Sequence, residues 1–329
     1  MRIASHYLEV LMTVLEDLAA AISSVSARVG PSVVGIGRGW GPGCGLLVGE
    51  GLVLTNAHNL REGPPAITLP DGQVVEGQAR GVDIDHDLAV IATDAAPSPE
   101  EAHGDPGASQ PSPIAWAPSR ATVGTPVVAL ANPGGRGLRA TFGLVSAVDQ
   151  VFRGPRGRRV TGSLEHTAPL AKGSSGGPVV DLEGRLLGIN VNRLGEGFYL
   201  AIPADAALRA RLDALAAGSS PPRRRLGVTL APPHVARRLR AAVGLPDRTG
   251  LLVRGVVEGG PAERGGLRAG DLIVEVAGRP ATSVDVLHEA LDAAGPDQPL
   301  ALRVVRGTEE LDLAVLVDTT EPHEGDGER

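Results

Sequence analysis

Between residues 33 and 202 the chain is written in short apolar runs, each cut off by Gly, Pro, Asn or Asp: 33–36, 44–48, 52–54, 66–69, 88–92, 127–130, 141–148, 179–180, 186–191 and 198–202. β-Branched and leucine-rich runs of this length, bounded by turn formers, read as strands. Ten or more of them with no long helix between predict an all-β barrel or sandwich. The 45 glycines and 27 prolines fall singly between the runs, which fits many turns joining many strands. Residues 95–113, rich in Ala, Pro, Ser and Gly, have no periodicity and are expected to divide two halves.

A chain of 329 residues suits two or three domains. The alanine-rich stretch 204–217 reads as a helix, and Gly218-Ser219-Ser220-Pro221-Pro222 breaks it. A second domain follows, with strands expected at 226–230, 251–257, 272–276, 300–305 and 311–317 and a helix over 284–293 capped by Ser283. The predicted organisation is an N-terminal helix (1–29), a first domain (30–217), a linker (218–225), a second domain (226–318) and a disordered acidic tail (319–329). Leu8, Leu11, Leu15, Leu18, Ile22, Val25 and Val29 recur at helical spacing, a stripe that must bury against the body or a neighbouring subunit. Glu9, Glu16 and Asp17 interrupt that stretch, so no cleavable signal is expected, and no stretch reads as a membrane span.

A net charge of −7 argues against a nucleic-acid surface, and the arginine runs 153–159 and 223–225 read as solvated loops. With one cysteine, Cys44, no intrachain disulfide can form.

Gly173-Ser174-Ser175-Gly176-Gly177-Pro178 sets a serine among glycines, which is how a tight turn exposes a hydroxyl with amides beside it. A serine needs a base for its proton and an acid to orient the base. His58 stands just past the apolar run 52–54, and Asp87 lies at the mouth of the run 88–92, after Asp83 and Asp85. The order His, Asp, Ser is far more specific than any one of the three.

Thr55-Asn56-Ala57-His58, Asp87-Leu88-Ala89-Val90, Ala131-Asn132-Pro133-Gly134, the Ser175 turn and Phe198-Tyr199-Leu200-Ala201-Ile202-Pro203 resemble successive signatures of the HtrA (DegP/DegQ/DegS-like) serine proteases. Arg225-Leu226-Gly227-Val228, Gly259-Gly260-Pro261-Ala262 and 266–273 resemble a bacterial PDZ domain. The resemblance implies a mainly β chain: a chymotrypsin-type double six-stranded β-barrel followed by a small PDZ sandwich with one or two helices. It implies a catalytic triad of His58, Asp87 and Ser175, and an oxyanion hole from the amides of Gly173 and Ser175, with Ser174 as a further candidate. Pro169, Leu170, Asn190 and Val191 would line the specificity pocket. With no acidic residue at its floor, cleavage is expected after small or medium aliphatic residues and not after Arg or Lys. No metal or cofactor is implied.

By the same likeness Arg225, Leu226, Gly227 and Val228 would hold a peptide's C-terminal carboxylate, and residues 151–162 would form a sensor loop between the PDZ domain and the active site. Implied partners are unfolded protein or peptide substrates, C-terminal peptides and further copies of the chain in a homotrimer. The very short loop 37–43 argues against cage assembly. The family habit is extracytoplasmic, whereas the missing signal points to the cytoplasm. Two departures stand out: Ser174 replaces the family's usual Asn, and Glu165-His166-Thr167-Ala168-Pro169-Leu170-Ala171-Lys172 replaces roughly Gln-Thr-Asp-Ala-Ala-Ile-Asn-Pro. Two functions fit: an ATP-independent quality-control endopeptidase regulated by its PDZ domain, or a PDZ-based binding protein or chaperone with vestigial proteolysis.

Overall fold

The apolar runs become strands, most of them buried on both faces. In a computed structural model of the chain, residues 2–320 are described apart from 38–42, 50, 62, 94–113, 154–158, 196, 222, 232 and 296. The expected divider, most of the short loop and the middle of the first arginine run thus lie outside the described residues. Two compact units emerge, Met1–Ser220 and Pro221–Arg329.

The first unit opens with helix α1 (Arg2–Val29) and holds twelve strands: β1 (Val33–Ile36), β2 (Gly43–Gly49), β3 (Leu52–Thr55), β4 (Ala66–Thr68), β5 (Val74–Asp83), β6 (Leu88–Thr93), β7 (Pro126–Ala131), β8 (Arg139–Arg153), β9 (Arg159–His166), β10 (Pro178–Val180), β11 (Leu186–Gly195) and β12 (Phe198–Pro203). They close into two antiparallel barrels, ordered β1-β2-β3-β6-β5-β4 and β10-β11-β12-β9-β8-β7. Side-chain alternation explains the closure. In β7, Val127 and Ala129 join Leu164, Val179, Leu187 and Ala201 in one cluster. The intervening Val128 and Leu130 join Leu46, Leu54, Val90 and Ile189 of both barrels in another, together with Val25 and Val29 of α1.

Helix α2 (Ala206–Ala216) follows, its first amides capped by Asp205, which accepts from the N–H groups of Ala207 and Leu208. Leu208, Leu212 and Leu215 bury its inner face. The middle of α1 is less covered: Met12, Val14 and Leu15 are about half exposed. Among the described residues no helix is long and apolar enough to cross a membrane.

The second unit contains β13 (Arg223–Arg225), β14 (Val228–Ala231), α3 (Pro233–Ala242), β15 (Leu251–Val256), α4 (Pro261–Arg264), β16 (Leu272–Val276), β17 (Arg279–Pro280), α5 (Val284–Ala293), β18 (Leu300–Arg306), β19 (Glu309–Val315) and β20 (Asp318–Thr320). Its sheet runs β14-β15-β16-β18-β19, with β17 paired to β16. Three local expectations change. The second arginine run is a strand, because 223–225 ladders with 318–320 and so ties the linker to the start of the tail. Helix α3 went unread, being short and rich in arginine. Ser283 occupies the N-cap position of α5, but its side chain makes no capping bond.

Candidate active site

Two left-handed glycines shape the turn around Ser175. Gly173 has φ +88° and Gly176 φ +90°, values that side-chain-bearing residues rarely adopt. A Cβ on Gly176 would also lie 2.0 Å from the Cys44 carbonyl oxygen. The turn is pinned from both barrels. The Ser175 carbonyl accepts from the Cys44 amide (2.8 Å) and from Asn59 Nδ2 (2.9 Å). From the other side, the Gly176 amide donates to the Asn190 carbonyl (2.8 Å) and the Asn190 amide to the Gly177 carbonyl (2.9 Å). Ser174, buried, donates its hydroxyl to the Ala171 carbonyl at 2.8 Å and so braces the approach to the turn. Among the described residues the amides of Gly173, Ser174 and Ser175 are given to no backbone acceptor, leaving three donors beside one hydroxyl.

Strand pairing brings the histidine to the aspartate. His58 sits on a 3-10 turn (Ala57–Asn59) after β3, and Asp87 immediately precedes β6. β3 and β6 are neighbours with Thr55 opposite Ala89, so 29 residues of separation collapse to contact. Asp87 Oδ2 lies 2.7 Å from His58 Nδ1, and Oδ1 accepts from the His58 amide at 3.0 Å. The Asp87 carbonyl accepts from Asn56 Nδ2 at 2.9 Å. Asp87 is 1% exposed and itself left-handed, with φ +56°. Two bonds to one residue fix the ring, and a buried carboxylate facing Nδ1 selects the tautomer whose Nε2 carries the lone pair. Asp83, the other buried acid of this stretch, is engaged elsewhere: it accepts from the His86 ring and amide and from Arg211.

His58, Asp87 and Ser175 line one cleft of about 500 Å³. Ser175 Oγ donates to the Val191 carbonyl at 3.1 Å and, among the described residues, makes no hydrogen bond to His58 Nε2. Such bonds are commonly loose before substrate arrives. Of the expected pocket residues, Leu170, Asn190 and Val191 line the cleft together with Phe152 and Tyr199. Pro169 is exposed and is not among the lining residues, because the chain turns outward between the buried Ala168 and Leu170.

Several residues that support this geometry carried no sequence signal of their own. Cys44 is one. Its thiol donates to the Gly173 carbonyl at 3.2 Å and accepts from the Asn132 amide at 3.1 Å. Burial pushes the thiol up to about 12, against smaller opposing effects of the Asn132 amide and Arg139, so it stays a protonated donor. His166 is another. It is fully buried, stacks on Tyr199 with ring centroids 5.8 Å apart, and reaches Asn190 Oδ1 through Nε2 at 2.9 Å. Because Asn190 Nδ2 donates to the Gly177 carbonyl (3.1 Å), Oδ1 must be the acceptor and His166 Nε2 the donor. Its Nδ1 is buried without a partner. Burial lowers the pKa of this ring, outweighing the Asn190 bond and the charge of Glu165.

In the second unit the Leu226 carbonyl accepts from the Ala262 amide and the Gly227 carbonyl from the Val257 amide, each at 2.9 Å. Gly227 is left-handed at φ +76°. The loop is thereby held by its carbonyls, while among the described residues the amides of Leu226 and Gly227 are given to no backbone acceptor. β14, which follows, is an edge strand.

With this geometry in hand, relatives can be compared. HhoA of Synechocystis sp., a serine protease by name, is 32% identical over 287 residues, a match that takes in 84% of this chain and 70% of HhoA. The chain belongs to the HtrA family of serine proteases. Residues 43–189 match the trypsin-like peptidase domain and 252–306 the PDZ domain. A DegP-like protein of Halomonas elongata, named for periplasmic serine endoprotease activity, is 32% identical over 283 residues, covering 84% of this chain and 56% of its own length. This HtrA chain thus spans just over half of that relative. In fold it is similar to the crystal structure of the serine endoprotease from Yersinia pestis, with a TM-score of 0.59, 24% identity, and coverage of 91% of this chain and 98% of that one.

Proposed function

We propose that the chain is an ATP-independent serine endopeptidase of protein quality control, with Ser175 as nucleophile, His58 as general base and Asp87 as the acid that orients it. The observation carrying this reading is the 2.7 Å contact between His58 Nδ1 and the buried Asp87 carboxylate, opening on the cleft that also holds Ser175. Ser175 Oγ attacks the peptide carbonyl carbon as its proton passes to His58 Nε2, and the carbonyl electron pair moves onto oxygen. The amides of Gly173 and Ser175, with Ser174 in reserve, hold that oxyanion; one such donor is typically worth about a hundredfold or more in rate. Collapse breaks the C–N bond, His58 returns the proton to the amine, and water repeats the sequence on the acyl-enzyme.

Leu170, Val191 and Tyr199 give the pocket an apolar wall, which supports cleavage after small or medium aliphatic residues. In the PDZ domain, the amide-presenting loop at Arg225, Leu226, Gly227 and Val228 takes a peptide's C-terminal carboxylate, and the peptide adds as a strand along β14 beside α5. That binding regulates the barrel. The half-exposed apolar positions of α1 support its role as the contact between copies in a homotrimer.

Digestion of casein tests the reading, with Ser175→Ala as the control. Wild-type turnover that disappears in the alanine variant is expected. Equal turnover by both proteins refutes the mechanism and leaves the PDZ-based binding protein.

A further inference from the structure

The cleft's charged lining consists of His58, Asp87, Arg153 and Lys172. Asp87 is 1% exposed and committed to His58 through both carboxylate oxygens, so it does not present itself to a ligand as a contact group. Lys172 presents an ammonium group at the cleft. It sits on a protein whose net charge is −7, and a cation on an acidic body is a local feature that draws an anionic group to that place.

Lys172 is the part of this lining that the catalytic reading leaves unused. It is the one lysine in the chain; every other residue among the 31 Lys and Arg is arginine. It is exposed, and it directly precedes Gly173, which lines the same cleft as Ser175. Its side chain makes no described ion pair or hydrogen bond, unlike the turn around it, where Ser174 and Gly173 are both tied down. Lysine differs from arginine here in kind: a compact point charge on a flexible stem, able to meet a single carboxylate without the planar fork of a guanidinium. An extended side chain of that length reaches groups about two residues either side of the scissile bond, at roughly 3.3 Å per substrate residue.

We propose that Lys172 is a specificity-determining residue that recognises an acidic side chain, Asp or Glu, within about two residues of the bond cleaved. The substrate class is a polypeptide with an aliphatic residue before the scissile bond and a carboxylate close to it. This proposal rests on the endopeptidase reading and deepens it. An exposed charge pair is worth a few-fold in rate, and the effect is screened by salt.

The test is a matched peptide series with one aliphatic residue before the scissile bond and Glu, Gln or Arg placed at each of the neighbouring positions. kcat/KM is measured for wild type, Lys172→Gln, Lys172→Glu and Lys172→Arg at low and high salt. At one or more positions wild type is expected to prefer Glu over Gln and Gln over Arg by roughly threefold per step at low salt, with the spread narrowing at high salt. Lys172→Gln flattens the order, Lys172→Glu inverts it, and Lys172→Arg keeps it. A flat wild-type profile overturns the proposal, as does an order unchanged in Lys172→Glu. Either result leaves the endopeptidase reading standing, which fails separately if no peptide is cut faster by wild type than by Ser175→Ala.

Discussion

Replacing Asp87 by Asn separates orientation of the base from everything else in the site. All three oxygens of Asp87 are engaged: Oδ1 accepts from the His58 amide, Oδ2 faces His58 Nδ1 at 2.7 Å, and its carbonyl accepts from Asn56. In the variant the amide oxygen must keep the His58 amide bond, so the NH2 group takes the place of Oδ2. Two donors cannot face each other, and the ring turns to the tautomer that accepts at Nδ1 and carries its proton on Nε2. That form cannot take the Ser175 proton. The backbone tolerates the change, because φ is +56° and asparagine, like aspartate, is among the side-chain-bearing residues that enter the left-handed region most often. Folding then loses only the difference between a charge-assisted and a neutral hydrogen bond, about 1 kcal/mol. Catalysis loses about 10⁴-fold, or about 5.4 kcal/mol of transition-state stabilisation. Fluorogenic peptide cleavage gives kcat/KM, and thermal unfolding gives stability. A variant that unfolds near the wild-type temperature while losing roughly four decades of activity is expected. Activity within tenfold of wild type refutes the tautomer argument.

Two further outcomes follow from the packing. Gly176→Ala should cost roughly 3 kcal/mol or more and abolish activity, since its Cβ meets the Cys44 backbone at a left-handed position, whereas Gly162→Ala, also left-handed but with open space around it, should cost only about 1–2 kcal/mol in urea unfolding. Equal losses would show that backbone strain alone sets the cost. His166 supplies a pH dependence: its ring binds a proton less readily folded than unfolded, so the unfolded chain takes up more protons as pH falls below about 6.5. Stability should decline through that window, by up to about 1.4 kcal/mol per pH unit, and level off below the folded ring's pKa. His166→Gln, which can still donate to Asn190, should lack this component; identical slopes in both proteins would contradict the assignment.

What could be read in the chain and what could not divide along a physical line. Ten of the twelve described strands of the first unit were legible because alternation and turn residues are local properties, and the positions of His58, Asp87 and Ser175 because each sits in a short motif at a strand end. β5 and β9 were not read, their few apolar residues being interrupted by glycine and charged residues. Helix α3 was missed because it is short and rich in arginine. The ladder between 223–225 and 318–320 joins segments almost a hundred residues apart, and no local property of either announces the other. Cys44 is the sharpest case: its thiol meets the Gly173 carbonyl across 129 residues, and only closure of both barrels brings it there. His166 and Asn190 meet for the same reason, while Pro169 was assigned to the pocket by position and turns away from it. Sequence reading located His58, Asp87 and Ser175, which the fold brings to one cleft; folding supplies the residues that hold them.

The most direct test is covalent labelling of the nucleophile. A fluorophosphonate phosphonylates a serine hydroxyl only where a base removes its proton and donors hold the developing anion. Intact-protein mass should show one adduct per chain in wild type, placed on Ser175 by peptide mapping, and none in Ser175→Ala. A wild-type chain that stays unmodified, or an adduct that persists in Ser175→Ala, would contradict the assignment of Ser175, His58 and Asp87 as the catalytic centre.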